Sequence, residues 1–421
     1  MTPTLERPRL RPYLEAVPDV WDPGSFHLRD ERGLLGRPQR VSRLELVFLS
    51  FCDGRRTLQE IHVEVARRVR GPSAPLEHFA ALVRRMDEAL LLDGPRFRQH
   101  INGSVRPPSC LGTYPEDPAE LRRQVAGLFT APGGPGLPGA PRPNGRLRAV
   151  LVPHMDYGRG GVTYGWGYKE LAERTDAALF VIVGTSHLSG HRFTLTRKHF
   201  QTPLGTVETD AAFVDRVVAH YGDGLFDDEI AHLPEWSIEL EVVLLQYLFA
   251  DPLPLPSPPS LGGEGRGRGR PFRIVPLLVG PFHDCTQTGS LPRYRDDVGR
   301  MIEALRRAEA ETPEPVCWVI SGDLAHIGPK FRDLEPVSGP QLAHSRRQDE
   351  AILAMARAAD PAGYFRVIAD EADARRICGL PPTYTVLEAV RPTSGKVLHY
   401  NQFVHPTGFE SVSYASAAFY R

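Results

Sequence analysis

The chain has 421 residues, 41% of them hydrophobic and 24% charged, with a formal net charge of −1. That length exceeds one ordinary core and predicts two folded units. The balanced charge excludes a global attraction to nucleic acid or an anionic membrane, and no stretch approaches the roughly 18 uninterrupted apolar residues of a membrane helix.

The N-terminal MTPTLERPRLRPYLEAV carries no apolar core of a secretory signal. The five cysteines (Cys52, Cys110, Cys285, Cys317, Cys378) are odd in number, scattered and without a CxxC pair. Both features read as a protein of the reducing cytoplasm, with neither a disulfide frame nor a zinc ribbon.

Residues 1–98 read as a small, mainly helical domain with a short hairpin at each end. Leu58, Ile61, Val65 and Val69 recur at helical spacing, with Thr57 as N-cap before Glu60. Phe79, Leu82, Val83, Met86 and Leu90 repeat the pattern, and Gly33, Gly54 and Gly94 punctuate it. Residues 99–145 change character. Their APGGPGLPGAPRPN offers little apolar surface to bury, and the whole stretch reads as a linker. A second Pro/Gly-rich run, 251–271, lies between a helix pattern (SIELEVVLLQYLF) and a strand pattern (FRIVPLLVG), and reads as a disordered surface insertion within one domain.

From 146 to 421 the pattern alternates. Strand-length apolar runs (RAVLVP, AALFVIVG, FRIVPLLVG, PVCWVISG and, last, SVSYASAAF) are separated by helical stretches. Continuous hydrophobicity predicts strands buried on both faces, in a mostly parallel central sheet sandwiched by helices: an α/β domain. Ligands of such sheets bind just beyond the carboxyl ends of the strands.

The residues just past each apolar run are therefore informative. RAVLVP leads to His154 and Asp156, FVIVG to His187, and CWVISG to Asp323 and His326, while FRIVPLLVG leads to His283 and Asp284 as a fourth contribution. Chance would scatter histidines among helices and both sheet edges. Imidazole and carboxylate are metal ligands, and the same residues equally make an acid/base cluster with no metal, Asp323 pairing His326; spacing does not separate the two. Cys378, in ADARRICGLPPTY, sits at an irregular turn and reads as a small buried residue unless other information makes it a ligand or nucleophile.

That information is a resemblance. PHMDYGRGG at 153–161, IVGTSH at 182–187, QTPLGTVETD at 201–210, EWSIELE at 235–241, IVPLLVG at 274–280, VISGDLAHIG at 319–328, ICGLPP at 377–382 and SVSYASAAF at 411–419 together resemble the MEMO family, known in bacteria as AmmeMemoRadiSam system protein B. The resemblance implies the α/β sandwich of the class III extradiol dioxygenases. It also implies a pocket in which His154, His187 and Cys378 bind a redox metal, iron or copper, with zinc compatible, and in which Asp323 and His326 are further polar residues.

The chain departs from the family pattern at Trp236, where a histidine is usual, leaving nearby His232 as its only substitute. It departs again at Leu188, where many members carry a second histidine, and Met155 and Asp156 set an extra carboxylate beside His154. Glu235 and Glu239 are the candidates for a carboxylate ligand. LSFCDGRRTLQEIHVEVARRV, followed by a second helix and LLLDG, resembles the PqqD-like winged-helix modules, which implies a peptide and a radical-SAM protein as partners of residues 1–97. Three functions remain in view: a metal-dependent oxidoreductase, a non-catalytic metal- or peptide-binding accessory protein, and a metal-free hydrolase with Cys378 as nucleophile and His154 or His326 as base.

Overall fold

The computed structural model describes residues 6–34, 38–69, 74–143, 146–250 and 270–421. Most of the Pro/Gly-rich run expected as an insertion (251–269) lies outside the described residues. Two compact units divide at Ser104/Val105.

The first unit opens with an antiparallel three-stranded sheet, β1 (Leu14–Pro18), β2 (Ser25–Asp30) and β3 (Gln39–Ser42), followed by helices α1 (Arg43–Leu49), α2 (Leu58–Arg68), α3 (Leu76–Glu88) and α4 (Pro95–Asn102). Strands thus share the unit with the helices expected there. Thr57 and Glu60 form the expected capping box at α2, and Ser42 with Glu45 forms another at α1. Ile61, Val65, Phe79, Val83 and Met86 are buried, and the ring of Phe79 stacks on that of Phe48 at 4.4 Å. Leu90 falls past the end of α3, in the left-handed conformation (φ 57°).

The second unit begins inside the stretch expected as a linker, and 99–145 is corrected accordingly. Strand β4 (Val105–Arg106) pairs with a later strand, and α5 (Pro118–Thr130) buries Leu121, Val125, Leu128 and Phe129. The Pro/Gly run after it is pinned through its backbone. Trp166 Nε1 donates to the Gly133 carbonyl at 3.0 Å, and Lys169 Nζ to that of Pro135 at 2.6 Å. Hydrogen bonds to one helix replace the apolar burial that the composition lacks.

Then come β5 (Leu147–Val152), α6 (Tyr157–Gly160), α7 (Val162–Arg174), β6 (Leu179–Thr185), β7 (Phe193–Leu195), β8 (His199–Thr202), β9 (Gly205–Thr209), α8 (Ala211–Tyr221), α9 (Trp236–Phe249), β10 (Arg273–Val279), α10 (His283–Thr288), α11 (Asp296–Ala310), β11 (Val316–Ser321), β12 (His326–Ile327), α12 (Gly339–Arg357), α13 (Pro361–Ala369), α14 (Leu380–Val390), β13 (Ser394–Val404) and β14 (Ser411–Tyr420). At the sheet's centre β5, β11, β6 and β10 run parallel in that order, as expected of continuously apolar strands. β14 flanks β5 antiparallel, and β13 pairs β14 in the same sense. Alternate residues supply two cores. Val181 and Val183 face α8, α11, α13 and α14; Phe180 and Ile182 face α5, α7 and α9. Among the described residues no helix is long and apolar enough to cross a membrane.

Candidate metal centre

Register sets the site. Ser321 of β11 pairs with Val152 of β5 and with Gly184 of β6, so these three parallel strands end level. Two to five residues beyond those ends stand His154, His187, Asp323 and His326, around a cleft of about 530 Å³ also lined by Met155, Trp236, Leu240, Phe331 and Val412.

Cys378 arrives from the turn before α14. Its approach depends on two glycines. A Cβ on Gly322 would lie 2.5 Å from Gly379 Cα, and one on Gly379 would lie 2.6 Å from the Asp323 carbonyl. Only bare backbone lets the turn dock on the end of β11. The Cys378 carbonyl accepts from Thr185 Oγ1 at 2.7 Å, and its Sγ lies 3.2 Å from His154 Nε2. Four of the five cysteines are buried, whereas Cys378 is partly exposed.

Each imidazole is oriented from behind. The ring of His154 is buried, its Nδ1 is 3.3 Å from Ser321 Oγ, and Ser321 donates onward to the buried Glu241 carboxyl at 3.1 Å. The Nδ1 of His187 meets Glu235 Oε1 at 2.9 Å, while its backbone N–H donates to Oε2 of the same carboxylate at 2.8 Å. Engaging Nδ1 leaves Nε2 as the ligating nitrogen, the usual support for a metal-bound histidine. One ligand atom from each of His154, His187 and Cys378 lies within 4.8 Å of the others, so the group can hold a metal ion. Asp323, His326 and Cys378 satisfy the same criterion.

Electrostatics follow from burial. Desolvation lowers His154 to about 3 and His326 to about 4, so both rings are neutral at pH 7. Burial opposes charge on His187 too, but the adjacent Glu235 carboxylate outweighs it and raises that imidazole. Burial pushes Asp323 up to about 6 against the pull of His326 and of the His154 N–H, which donates to Asp323 Oδ1 at 3.1 Å. Burial and the neighbouring Asp323 together lift the Cys378 thiol well above its ordinary range.

The remaining candidates lie elsewhere or act differently. His283 is exposed at the start of α10, and Asp284 is taken by Arg192 and Arg295, so the fourth contribution expected after β10 is absent from this cleft. His232 does not substitute for a histidine at position 236. It is buried with its Nε2 3.0 Å from the Thr194 carbonyl, outside the cleft lining. Glu239 is no ligand candidate in this geometry, because the fully buried guanidinium of Arg106 and the Tyr114 hydroxyl both donate to it. Trp236 stacks on the His187 ring at 4.2 Å and 19°, walling that side of the cleft. Asp156 caps α6 and pairs with Arg159 at the rim.

Sequence alone assigned no role to Glu241, Ser321 or Arg106, although EWSIELE and VISGDLAHIG contain the first two. The available signal was three acidic residues, Glu235, Glu239 and Glu241, inside an otherwise apolar run, since buried carboxylates must be partnered.

Comparison with known proteins bears on this second unit above all. A family model described as Memo-like protein matches residues 106–418. The chain is 29% identical to a MEMO1 family protein of Methanopyrus kandleri over 326 residues, 75% of this chain and 99% of that relative. It is 24% identical to one of Aquifex aeolicus over 408 residues, covering 94% and 96%, and 30% identical to one of Methanothermobacter thermautotrophicus over 291 residues, covering 68% and 88%. With the family match spanning the second unit and its cleft, this chain belongs to the Memo-like protein family.

Proposed function

We propose that the cleft binds a redox metal, iron or copper, through His154, His187 and Cys378, and works as the centre of a metal-dependent oxidoreductase. One observation carries the reading: two imidazoles, each held at Nδ1 by an oxygen behind it, converge with a thiol at one mouth of the sheet. A set of two nitrogens and a sulfur suits iron, copper or zinc and disfavours magnesium and calcium. When bound, the metal would supply redox chemistry and an open coordination position.

The protein's own groups prepare the rest. Asp323, which burial raises to about 6 in the metal-free protein, sets its Oδ2 3.7 Å from His154 Nε2 as a group able to hold a proton there. His326 points Nδ1 at the Leu324 and Arg376 carbonyls, leaving Nε2 free to accept a proton. Trp236, Leu240, Phe331 and Val412 give the cleft apolar lining beside these polar groups. Elemental analysis of anaerobically purified protein tests the reading. Iron or copper near stoichiometry, lost in His154→Ala and His187→Ala, supports it; metal-free protein that takes up neither ion on reconstitution overturns it.

A second reading is a non-catalytic accessory role, with a peptide and a radical-SAM protein as partners. The separate first unit favours it, having a core of its own. Loss of complex formation when residues 1–97 are deleted supports this reading, and an unchanged complex counts against it.

A further inference from the structure

Just before Cys378 the backbone adopts a conformation that L-residues seldom take. Ala372 (φ 49°), Asp373 (φ 54°) and Arg376 (φ 55°) are all left-handed without being glycine. Such residues persist where surrounding contacts hold them, and they cluster at functional sites. At Arg376 the contacts are specific. Its guanidinium donates to the His326 carbonyl at 3.1 Å and to Asp333 Oδ1 at 2.6 Å. Its own carbonyl faces His326 Nδ1 at 3.0 Å. Around it, His326 N–H donates to the Arg375 carbonyl at 2.7 Å, and Gly379 N–H to that of Asp323 at 2.8 Å. Asp333 is anchored in turn, accepting from Gly328 N–H at 2.7 Å.

Residues 375–379 and 323–326 are therefore stitched together on both sides of Cys378. Turning Arg376 into an ordinary helical or extended conformation would swing its carbonyl away from His326. It would also carry Cys378, two residues on, away from His154. We propose that Arg376 is a positioning residue that sets the Cys378 thiol and the His326 imidazole as one unit. The thiol half rests on the metal reading above; the imidazole half stands without it.

The test uses the full-length, metal-free protein and three variants: Arg376→Ala, Arg376→Lys and Asp333→Asn. Cobalt(II) is titrated and followed by its thiolate-to-cobalt charge-transfer absorption, and His326 is read separately by nitrogen-15 NMR of the metal-free imidazole. In Arg376→Ala cobalt should bind about tenfold more weakly or worse, as for loss of other groups that support ligands. The absorption per bound ion should fall, and His326 should lose its fixed Nδ1–H form. Arg376→Lys, with fewer donors, should recover part of each signal.

Wild-type affinity, absorption and tautomer in a natively folded Arg376→Ala would overturn the proposal. If wild-type protein binds no cobalt, the proposal is decided by whether the variants change the His326 tautomer, and the metal reading is decided separately by its own test, iron and copper uptake. If Arg376→Ala does not fold, Asp333→Asn decides the matter, because Asp333 holds Arg376 from outside the cleft lining. A smaller change of the same sign supports the proposal, and no change refutes it.

Discussion

An imidazole ligates a metal only through the nitrogen that its neighbours leave free. Here Glu235 decides this for His187, binding both its Nδ1 and its backbone N–H. Removing that carboxylate in Glu235→Ala should weaken metal binding about 10–100-fold. Glu235→Gln, whose amide oxygen can still accept, should cost less; metal competition titrations of both variants check this. The thiol gives a second outcome at the same scale. Burial and Asp323 keep Cys378 protonated in the metal-free protein at neutral pH, because its pKa is raised. A metal that takes the thiolate must expel that proton. Binding should thus release about one proton from this group, and the association constant should rise about tenfold per pH unit below the thiol's pKa. Calorimetry in buffers of different ionisation enthalpy measures the total release, and Cys378→Ser should lower it by about one proton.

Among the elements, three parallel strands ending level do most to make the site, and their ends must also leave room for a distant turn. Gly322 at the end of β11 touches Gly379 backbone to backbone, so neither partner can move aside as a side chain would. Gly322→Ala should cost about 1–3 kcal/mol of second-unit stability and displace the Cys378 turn. Urea unfolding with parallel metal titration reads both effects, and unchanged metal affinity would contradict the geometry. Helix α9 shows what pattern alone leaves open. Glu235 caps it and orients His187, Glu239 is captured by Arg106, and Glu241 lies behind His154 through Ser321. Three identical side chains within seven residues take three roles. Nothing in their spacing distinguishes them, because the partners come from other parts of the chain.

For the whole molecule, the cleft lining lies entirely within Val105–Arg421, and the Methanopyrus kandleri relative is covered almost entirely by three-quarters of this chain. A chain beginning at Val105 should therefore fold and keep the full-length metal stoichiometry, which circular dichroism and elemental analysis can check. A chain beginning at Arg146, the boundary suggested by composition, should fail. It would lose α5 and the buried Arg106 that holds Glu239, leaving a carboxylate buried without its cation, a defect on the order of 3–5 kcal/mol.

The central strands were legible because β5, β6, β10 and β11 are apolar on both faces, a property each segment carries alone. The polar residues at their carboxyl ends were legible in turn, since strand direction dictates which ends share an edge. β7–β9 and β13 were not legible, being short or facing solvent on one side, so that no continuous apolar run marks them. Sequence by itself thus determined the α/β class and the edge bearing His154, His187, Asp323 and His326. The family resemblance already grouped Cys378 with these histidines, but only the tertiary structure showed how it reaches His154 across 224 residues, turned Glu235 into a support and drew 105–143 into the second unit. The physical reason is locality. Hydrophobic periodicity is written along each segment, whereas a side chain's partner is set by which segments pack together.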